Sequence, residues 1–364
     1  MKAVIIGGGI AGLGAAISLQ KIGWDVTVKE KTARFREVGL GFIIMPNGLS
    51  ALDKMGCGVY ARSHGQMLKG AIMRHPDGVV FKTAPLSDCL AIKRSTCIDA
   101  LRMLVREPAI HTGFEFSHFE FNKEGKAVAA VSTTGEKETG DLFIAADGAN
   151  SVIRKKLFPL HEARQSPIQE LVGIIDDEAL ALELDGHMLK TQCHDKPLSM
   201  GLVPCNSQQV IWYMQFDSTA YAMQGLSNDI KKDFATQTLA GWPPPVQQVI
   251  RQTDFNKVFL WLTRDMDLLN SFHRQNIVLI GDAAHLALPF TSQGTNSALT
   301  DAMLLSELLQ QIQSPDDFGG VFAQYYQQRK NDLQKYLEFG RKQEDWFLHP
   351  ELHLHDEAQV PLAK

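Results

Sequence analysis

The sequence predicts an α/β fold in two packed parts: a parallel sheet with helices on it, assembled from both ends of the chain, and an antiparallel layer inserted between them. Three observations predict this. Residues 3–30 read strand–helix–strand, residues 169–263 change to strand-like runs of antiparallel texture, and a buried apolar strand, Ile277-Val278-Leu279-Ile280, returns afterwards. At 364 residues the chain is longer than one ordinary domain and short for three.

Ala3-Val4-Ile5-Ile6 is a short apolar run ending in glycines, as a parallel strand covered on both faces should be. Beyond Gly12, residues Leu13, Ala15, Ala16, Ile17 and Leu19 suit a helix packed closely on that strand. Gly23 closes the helix, and Val26 and Val28 alternate along a second strand ending at Glu30. Residues 47–56 read as a short helix and 95–106 as a longer one with Ser95 at its N-cap. Phe114 and Phe116 alternate, turns fall near Gly125 and Gly135, and Leu142–Ala146 is a buried strand entering Asp147-Gly148, which makes a β-meander returning to the parallel sheet. In the middle segment the strand-like runs are 198–204, 209–216 and 257–262, and Pro243-Pro244-Pro245 starts a helix. A helix from about Thr295 follows the Ile277–Ile280 strand, and 321–346 is charged and helical. The expected division is 1–168 with 264–318 for a discontinuous first domain, 169–263 for the second, a C-terminal helix over 319–350 and a tail over 351–364.

Composition narrows the function classes. Apolar residues at 45% and charged residues at 21% exclude a disordered, collagen-like or coiled-coil chain. A net charge of -5 argues against a nucleic-acid surface. Five cysteines are an odd count without Cys-x-x-Cys spacing, so neither a disulfide framework nor a zinc site is expected, and a reducing, cytoplasmic compartment fits. Gly7-Gly8-Gly9 breaks the uncharged stretch behind Lys2 that would otherwise resemble a signal peptide. No other stretch reaches the roughly 18–20 apolar residues of a membrane span, so stable membrane insertion is not expected. His349, His353 and His355 lie in a polar chain end, and no metal site is expected there.

Gly7-x-Gly9-x-x-Gly12 sits between a strand and a helix, with Glu30 beyond it. Gly7 permits a tight turn, Gly9 lets the backbone approach a pyrophosphate, and Gly12 allows close helix–strand packing, which is the Rossmann-like pattern for a dinucleotide. The phosphates then lie on a helix N-terminus, and Glu30 can accept two ribose hydroxyls. The pattern does not say which dinucleotide.

Two later segments bear on that question. Ala146-Asp147-Gly148-Ala149-Asn150-Ser151-Val152-Ile153-Arg154 follows one buried strand; Gly281-Asp282-Ala283-Ala284-His285 through Pro289, then Gln293-Gly294-x-Asn296 and Asp301-Ala302, follow another. With the opening glycines these resemble the three fingerprints of the single-component (group A) flavoprotein aromatic hydroxylases, proteins of the para-hydroxybenzoate-hydroxylase-like fold. The resemblance covers roughly 1–168 and 264–345. Chain length and the run Gly281–Leu308 look most like the tetracycline-inactivating monooxygenases.

The resemblance implies a Rossmann-like FAD-binding domain with a β-meander, an antiparallel-sheet substrate domain, and FAD as cofactor with NADPH or NADH as co-substrate. Gly7, Gly9, Ile10, Ala11, Gly12, Glu30 and Lys31 would hold the ADP half. Arg94 would lie near the ribityl and pyrophosphate, and Asp282 would bond a ribityl hydroxyl. Pro289, Gln293, Gly294, Thr295 and Asn296 would run along the isoalloxazine, while Asp147 and Gly148 would touch both FAD and the transient nicotinamide path. The implied reaction inserts one oxygen atom from O2, through a flavin C4a-hydroperoxide, into an aromatic or polyketide-like small molecule. The flavin carries that chemistry, so no protein side chain is assigned as catalytic. Gln192, Trp212, Met214 and Phe290 are the substrate candidates. Trp212, Met214 and Phe216 share one face of a strand with Tyr213 and Gln215 on the other, and the sequence leaves open which face covers the flavin. His285 reads most simply as a packed, hydrogen-bonded loop residue, and Arg264 with Asp265 as a structural pair. Same-fold epoxidation, Baeyer–Villiger insertion or halogenation, and a flavin-binding protein without turnover, stay open as alternatives. Two positions depart from the family pattern: Ser292 stands where a glycine is usual, and Thr300 where an acid is usual.

Overall fold

The computed structural model describes residues 1–33, 41–312 and 314–353. The apolar run at the start of the chain has no solvent side, and the fold gives it none. The Lys2–Ile6 strand lies at the centre of a six-stranded sheet, in parallel register with Leu142–Ala145 on one side and Asp25–Glu30 on the other. Ile277–Leu279 extends the sheet beyond Leu142–Ala145, and Ile110–Thr112 extends it beyond Asp25–Glu30, both parallel. The Ile10–Lys21 helix is buried from Ile10 to Gln20 because the Gln293–Leu309 helix covers its outer side. Small residues make that seam possible: a β-carbon on Gly14 would lie 3.1 Å from Met55 Cε and 3.2 Å from Ala302 Cβ. The meander strands Phe116–Phe121, Ala127–Ser132 and Lys137–Thr139 form their own three-stranded sheet. Asn276 ties it down, exchanging hydrogen bonds with the Ala127 backbone in both directions at 2.8 Å.

The second sheet has eight strands, in the order Phe259–Asp265, Arg164–Asp176, Gln209–Asp217, Leu198–Pro204, His187–Gln192, Gln66–Arg74, Val80–Lys93 and Gly41–Ile44. This corrects the expected division. Three strands between 41 and 93 belong to this sheet although the whole of 1–168 was expected in the first domain, and the long strand entering it begins at Arg164. The sheet curls so strongly that its far edge returns over its middle: a β-carbon on Gly41 would overlap Ile211 Cδ1. The concave face so formed encloses Ile43, Met45, Leu68, Val172, Val203 and Ile211. The convex face carries Trp212, Met214 and Phe216, covered by the Asn228–Thr238 and Val246–Gln252 helices through Ala235, Val249 and Ile250. Two glycines let aromatic rings lie flat across neighbouring strands on opposite faces. Trp212 lies over Gly173 on the convex side, and Tyr213 lies over Gly201 on the concave side, where added β-carbons would collide with the rings.

The Phe318–Leu348 helix packs along Gln293–Leu309 and reaches the second sheet. Asp265, fully buried, accepts from Arg164 at 2.8 Å and from Arg341 at 2.8 Å, and Arg164 also reaches Glu344 at 2.6 Å. Burial alone would raise the Asp265 carboxyl, but the two guanidinium groups hold it below the ordinary range. The expected Arg264–Asp265 pair is therefore replaced: Arg264 donates to Asn150 at 2.8 Å instead. Near the chain end His349 faces Glu351 and His353 faces Asp345. His355 lies outside the described residues. Among the described residues no helix is long and apolar enough to cross a membrane.

Candidate functional site

The three glycine-bearing loops meet at the C-terminal edge of the parallel sheet, where the sheet's topology reverses and open α/β folds hold their ligands. Contact is backbone to backbone. Gly7, at φ +111°, presses on Ala146, where a β-carbon would overlap the carbonyl oxygen. Gly281, at φ +57°, lies where a β-carbon would be 2.9 Å from Ala11 Cβ and 3.1 Å from Ala298 Cβ. The first loop thus touches the second through Gly7 and the third through Ala11.

Around this junction stand groups that the protein itself leaves unused. Gly9 caps the Ile10–Lys21 helix without a side-chain acceptor, and a β-carbon there would meet nothing within 4 Å. The first-turn amides are consequently open to an anion. Glu30, at the end of the adjoining strand, accepts from Gly8 N at 2.7 Å and from the Thr32 amide and hydroxyl at 2.9 and 2.8 Å, which fixes its carboxylate beside that helix end. Lys31 is exposed next to it. Asp282 is partly buried, and its carboxylate makes no hydrogen bond among the described residues. Burial raises its carboxyl against the positive charges nearby, those of His285, Arg94 and Arg154. Arg94 opens the Arg94–Arg102 helix, and its guanidinium likewise makes no hydrogen bond among the described residues. The amides of Gly294 and Thr295, in the first turn of Gln293–Leu309, meet no side-chain cap. A partnerless carboxylate, a partnerless guanidinium and two uncapped helix ends fit the hydroxyls, pyrophosphate and polar ring edge of FAD. The donor set matches the group.

Other expected residues are placed differently. Asp147 accepts from Ser151 Oγ at 2.6 Å, Val152 N at 2.8 Å and Ile153 N at 3.2 Å, so its carboxylate is spent on capping the Val152–Leu157 helix. Gly148 follows at φ +78° with open space beside it. Asn296 is fully buried and staples two elements: it accepts from Met45 N at 2.8 Å and donates to Ile43 O at 3.0 Å, so its side chain faces the second sheet rather than a ring. Gln293 is buried and accepts from Asn47 at 3.0 Å. Ser292 sits at φ +51°, the left-handed conformation that its family's glycine adopts without cost. Pro289 is half-buried, and Phe290 packs with Ile168, Leu288 and Phe347.

Two buried networks were not assigned a role from sequence. Arg154 donates to Asp282 O at 2.8 Å, Ala283 O at 3.2 Å and Ala149 O at 2.7 Å, clamping the second loop to the third. Asp301, fully buried, accepts from Gly281 N at 2.8 Å, His285 Nε2 at 2.7 Å and Arg329 Nε at 2.7 Å. Burial opposes its ionisation, but the charges of His285 and Arg329 prevail and hold the carboxyl far below the ordinary range. His285 is thereby a held loop residue.

The substrate candidates divide between the faces of the curled sheet. Trp212 and Met214 are fully buried in the convex core, which corrects their assignment as substrate wall: the covering helices, not the cofactor domain, occupy their side. Gln192 lies on the concave face. Strand register aligns it with Ser199, Gln215 and Glu170, and aligns Lys190 with Gly201, Tyr213 and Val172. Ser199 Oγ donates to Gln215 Oε1 at 2.9 Å, and Gln215 Nε2 donates to Glu170 Oε1 at 2.6 Å. Burial pushes the Glu170 carboxyl up to about 7 and the Lys190 ammonium down to about 8. The Tyr213 hydroxyl is raised by burial and by the Glu170 charge. Lys190 Nζ stands 5.9 Å from the Phe347 ring centroid, and Phe347 lies 6.3 Å from Phe290. The polar end of the concave face therefore looks onto the Pro289 segment.

Comparison with known proteins bears on the cofactor. The model of a family described as an FAD binding domain matches residues 1–339. The chain is 27% identical over 356 residues to an FAD-dependent urate hydroxylase of Klebsiella pneumoniae, covering 95% of this chain and 90% of that one. Among solved structures, Klebsiella pneumoniae HpxO complexed with FAD and uric acid superimposes with a TM-score of 0.87 at 23% identity, over 97% of this chain and 90% of that one. The tetracycline destructase Tet(51) superimposes with a TM-score of 0.72 at 18% identity, over 94% and 90%.

Proposed function

The chain belongs to the FAD-binding-domain family and is an FAD-dependent, NAD(P)H-consuming monooxygenase, and on that premise we propose how its residues serve the reaction and what it acts on. The substrate is a planar aromatic or polyketide-like small molecule, lodged between the concave face of the curled sheet and the Pro289–Thr295 segment. When bound, FAD supplies the redox chemistry: electrons from NAD(P)H, activation of O2 and delivery of one oxygen atom.

The chain's own part is to bind, orient and keep dry. Glu30 takes the ribose, and the open first turn at Gly9 takes the pyrophosphate. Arg94 adds a positive charge there. Asp282 accepts from the ribityl chain. The uncapped amides of Gly294 and Thr295 face the ring edge that becomes negative on reduction, a helix-end contribution of about 0.3–1 kcal/mol. Leu288, Phe290, Ile168 and Phe347 form an apolar wall that excludes water, which a reactive oxygen donor requires. Five free, buried cysteines support a cytoplasmic location.

The observation that carries the reading is the junction of the three loops beside a carboxylate and a guanidinium, those of Asp282 and Arg94, that make no side-chain hydrogen bond among the described residues. Its test is turnover by purified protein. Ring compounds are screened for acceleration of NADPH oxidation, with product mass read out. Uptake of one oxygen atom by an accelerating compound supports the reading; NADPH oxidation that no compound stimulates, with no oxygenated product, refutes it.

A further inference from the structure

The concave face carries a charge that the fold does not need. Lys190 is 3% exposed and lies mid-strand between His187 and Gln192. Among the described residues its ammonium makes no hydrogen bond and no ion pair within 4 Å; it stands over the Phe347 ring, at the outer limit for a cation–π interaction. Drawing a charge away from water without such partners is unfavourable, and an apolar residue here would pack against Phe347 at no such cost. Glu170 is the nearest opposite charge, yet its carboxylate is turned to Gln215.

The surroundings are shaped for an acceptor. Next to Lys190 in register is Gly201, and the Tyr213 ring lies across that glycine, its hydroxyl directed over the strand between them. That hydroxyl also has no hydrogen bond among the described residues. An ammonium and a phenolic hydroxyl, neither with a hydrogen-bond acceptor among the described residues, thus lie beside one another across the Gly201 position, with the Phe347 ring 5.9 Å from the ammonium and Phe290 beyond it.

We propose that Lys190 is the anchoring and specificity-determining residue for substrate, and that this enzyme selects planar rings bearing a negative charge, which Lys190 binds with the Tyr213 hydroxyl. The proposal rests on the functional reading above for the location of the substrate. The charge can come from a carboxylate or from a deprotonated ring hydroxyl or imide; the chemistry Lys190 reads is the same. Glu170, held by Gln215, opposes the anion and restricts which end of the ring can lie there.

The test is calorimetric titration of the purified full-length enzyme with two matched pairs: 3-hydroxybenzoate against 3-hydroxybenzamide for the carboxylate, and the urate anion against neutral hypoxanthine for the ring anion. At least one acid should bind ten-fold or more tightly than its neutral partner. Lys190→Met should abolish that preference while leaving the neutral compound's affinity and the FAD content unchanged. Glu170→Gln should tighten acid binding, an opposite change that general loss of structure cannot produce. Which pair responds identifies the source of the charge. Equal affinity for acid and neutral partner, an undiminished preference in Lys190→Met, or binding by neither acid overturns the proposal. FAD retention with ligand-stimulated NADPH oxidation but no charge preference leaves the functional reading standing without Lys190. Lys190-dependent acid binding in protein that takes up no FAD does the reverse.

Discussion

Replacing Asp301 by Asn tests whether the loop bearing Asp282 is held from behind. The Asp301 carboxylate receives three donors, Gly281 N, His285 Nε2 and Arg329 Nε, and both its oxygens are used at 2.7–2.8 Å. The Arg329 side chain is almost fully buried, so Asn leaves its charge with only the half-exposed Asp332 carboxylate, 4.0 Å away. Breaking a buried pair in this way costs about 3–5 kcal/mol. The three bonds form one network, so their individual values do not add. Urea unfolding of the two proteins should show that difference between pH 5 and 8. The sign with pH follows from the depressed carboxyl. The contribution is complete above the unfolded carboxylate range near ~4 and is lost as pH falls toward the folded value. The gap between wild type and Asp301→Asn should therefore close in acid. A difference below about 0.5 kcal/mol at neutral pH, or a gap that widens in acid, refutes the reasoning.

Asp282→Ala removes the carboxylate that lacks a protein partner and should give folded but largely colourless protein; full flavin occupancy in the purified variant contradicts its role. Ser292→Gly relieves a left-handed backbone at φ +51° and should stabilise the protein by about 1 kcal/mol, seen as a raised thermal midpoint. Trp212→Ala excavates the convex core and should cost about 3–5 kcal/mol in urea unfolding, while ligand affinity of the folded enzyme stays as it was. Loss of ligand affinity at full stability would return Trp212 to the substrate wall.

Local signals made the cofactor half legible. A βαβ unit writes itself in contiguous periodicity, and the Gly7, Gly9, Gly12 spacing, the Asp147-Gly148 turn and the Gly281-Asp282 turn each follow a buried strand that the sequence shows directly. What the sequence hid was pairing at a distance. The strands between 41 and 93 carry no mark of which sheet they join, because partner choice is made by residues more than a hundred positions away. Alternation along 209–217 separates Trp212 from Tyr213 but is symmetric between faces; only the covering helices decide which face is dry core. Side-chain competition hid two further roles. Asp147 has Ser151 and the first amides of a helix within reach, and Asn296 has the Ile43 and Met45 backbone, so both are satisfied before any cofactor arrives. Glu170 and Lys190 are charges whose burial on one face of the sheet depends on register across four strands, which no local pattern shows.

Three loops, each following a strand of one parallel sheet, are proposed to form a single FAD site. This is tested most directly by titrating FAD into purified protein and into Gly9→Val while following flavin absorbance and fluorescence. A β-carbon on Gly9 would meet nothing within 4 Å among the described residues, so the substitution is expected to fill the ligand's space and spare the fold. Tight, saturable binding is expected of the wild-type chain and none of the folded variant. Wild-type protein that stays colourless with added FAD, or a variant that binds equally well, would contradict it.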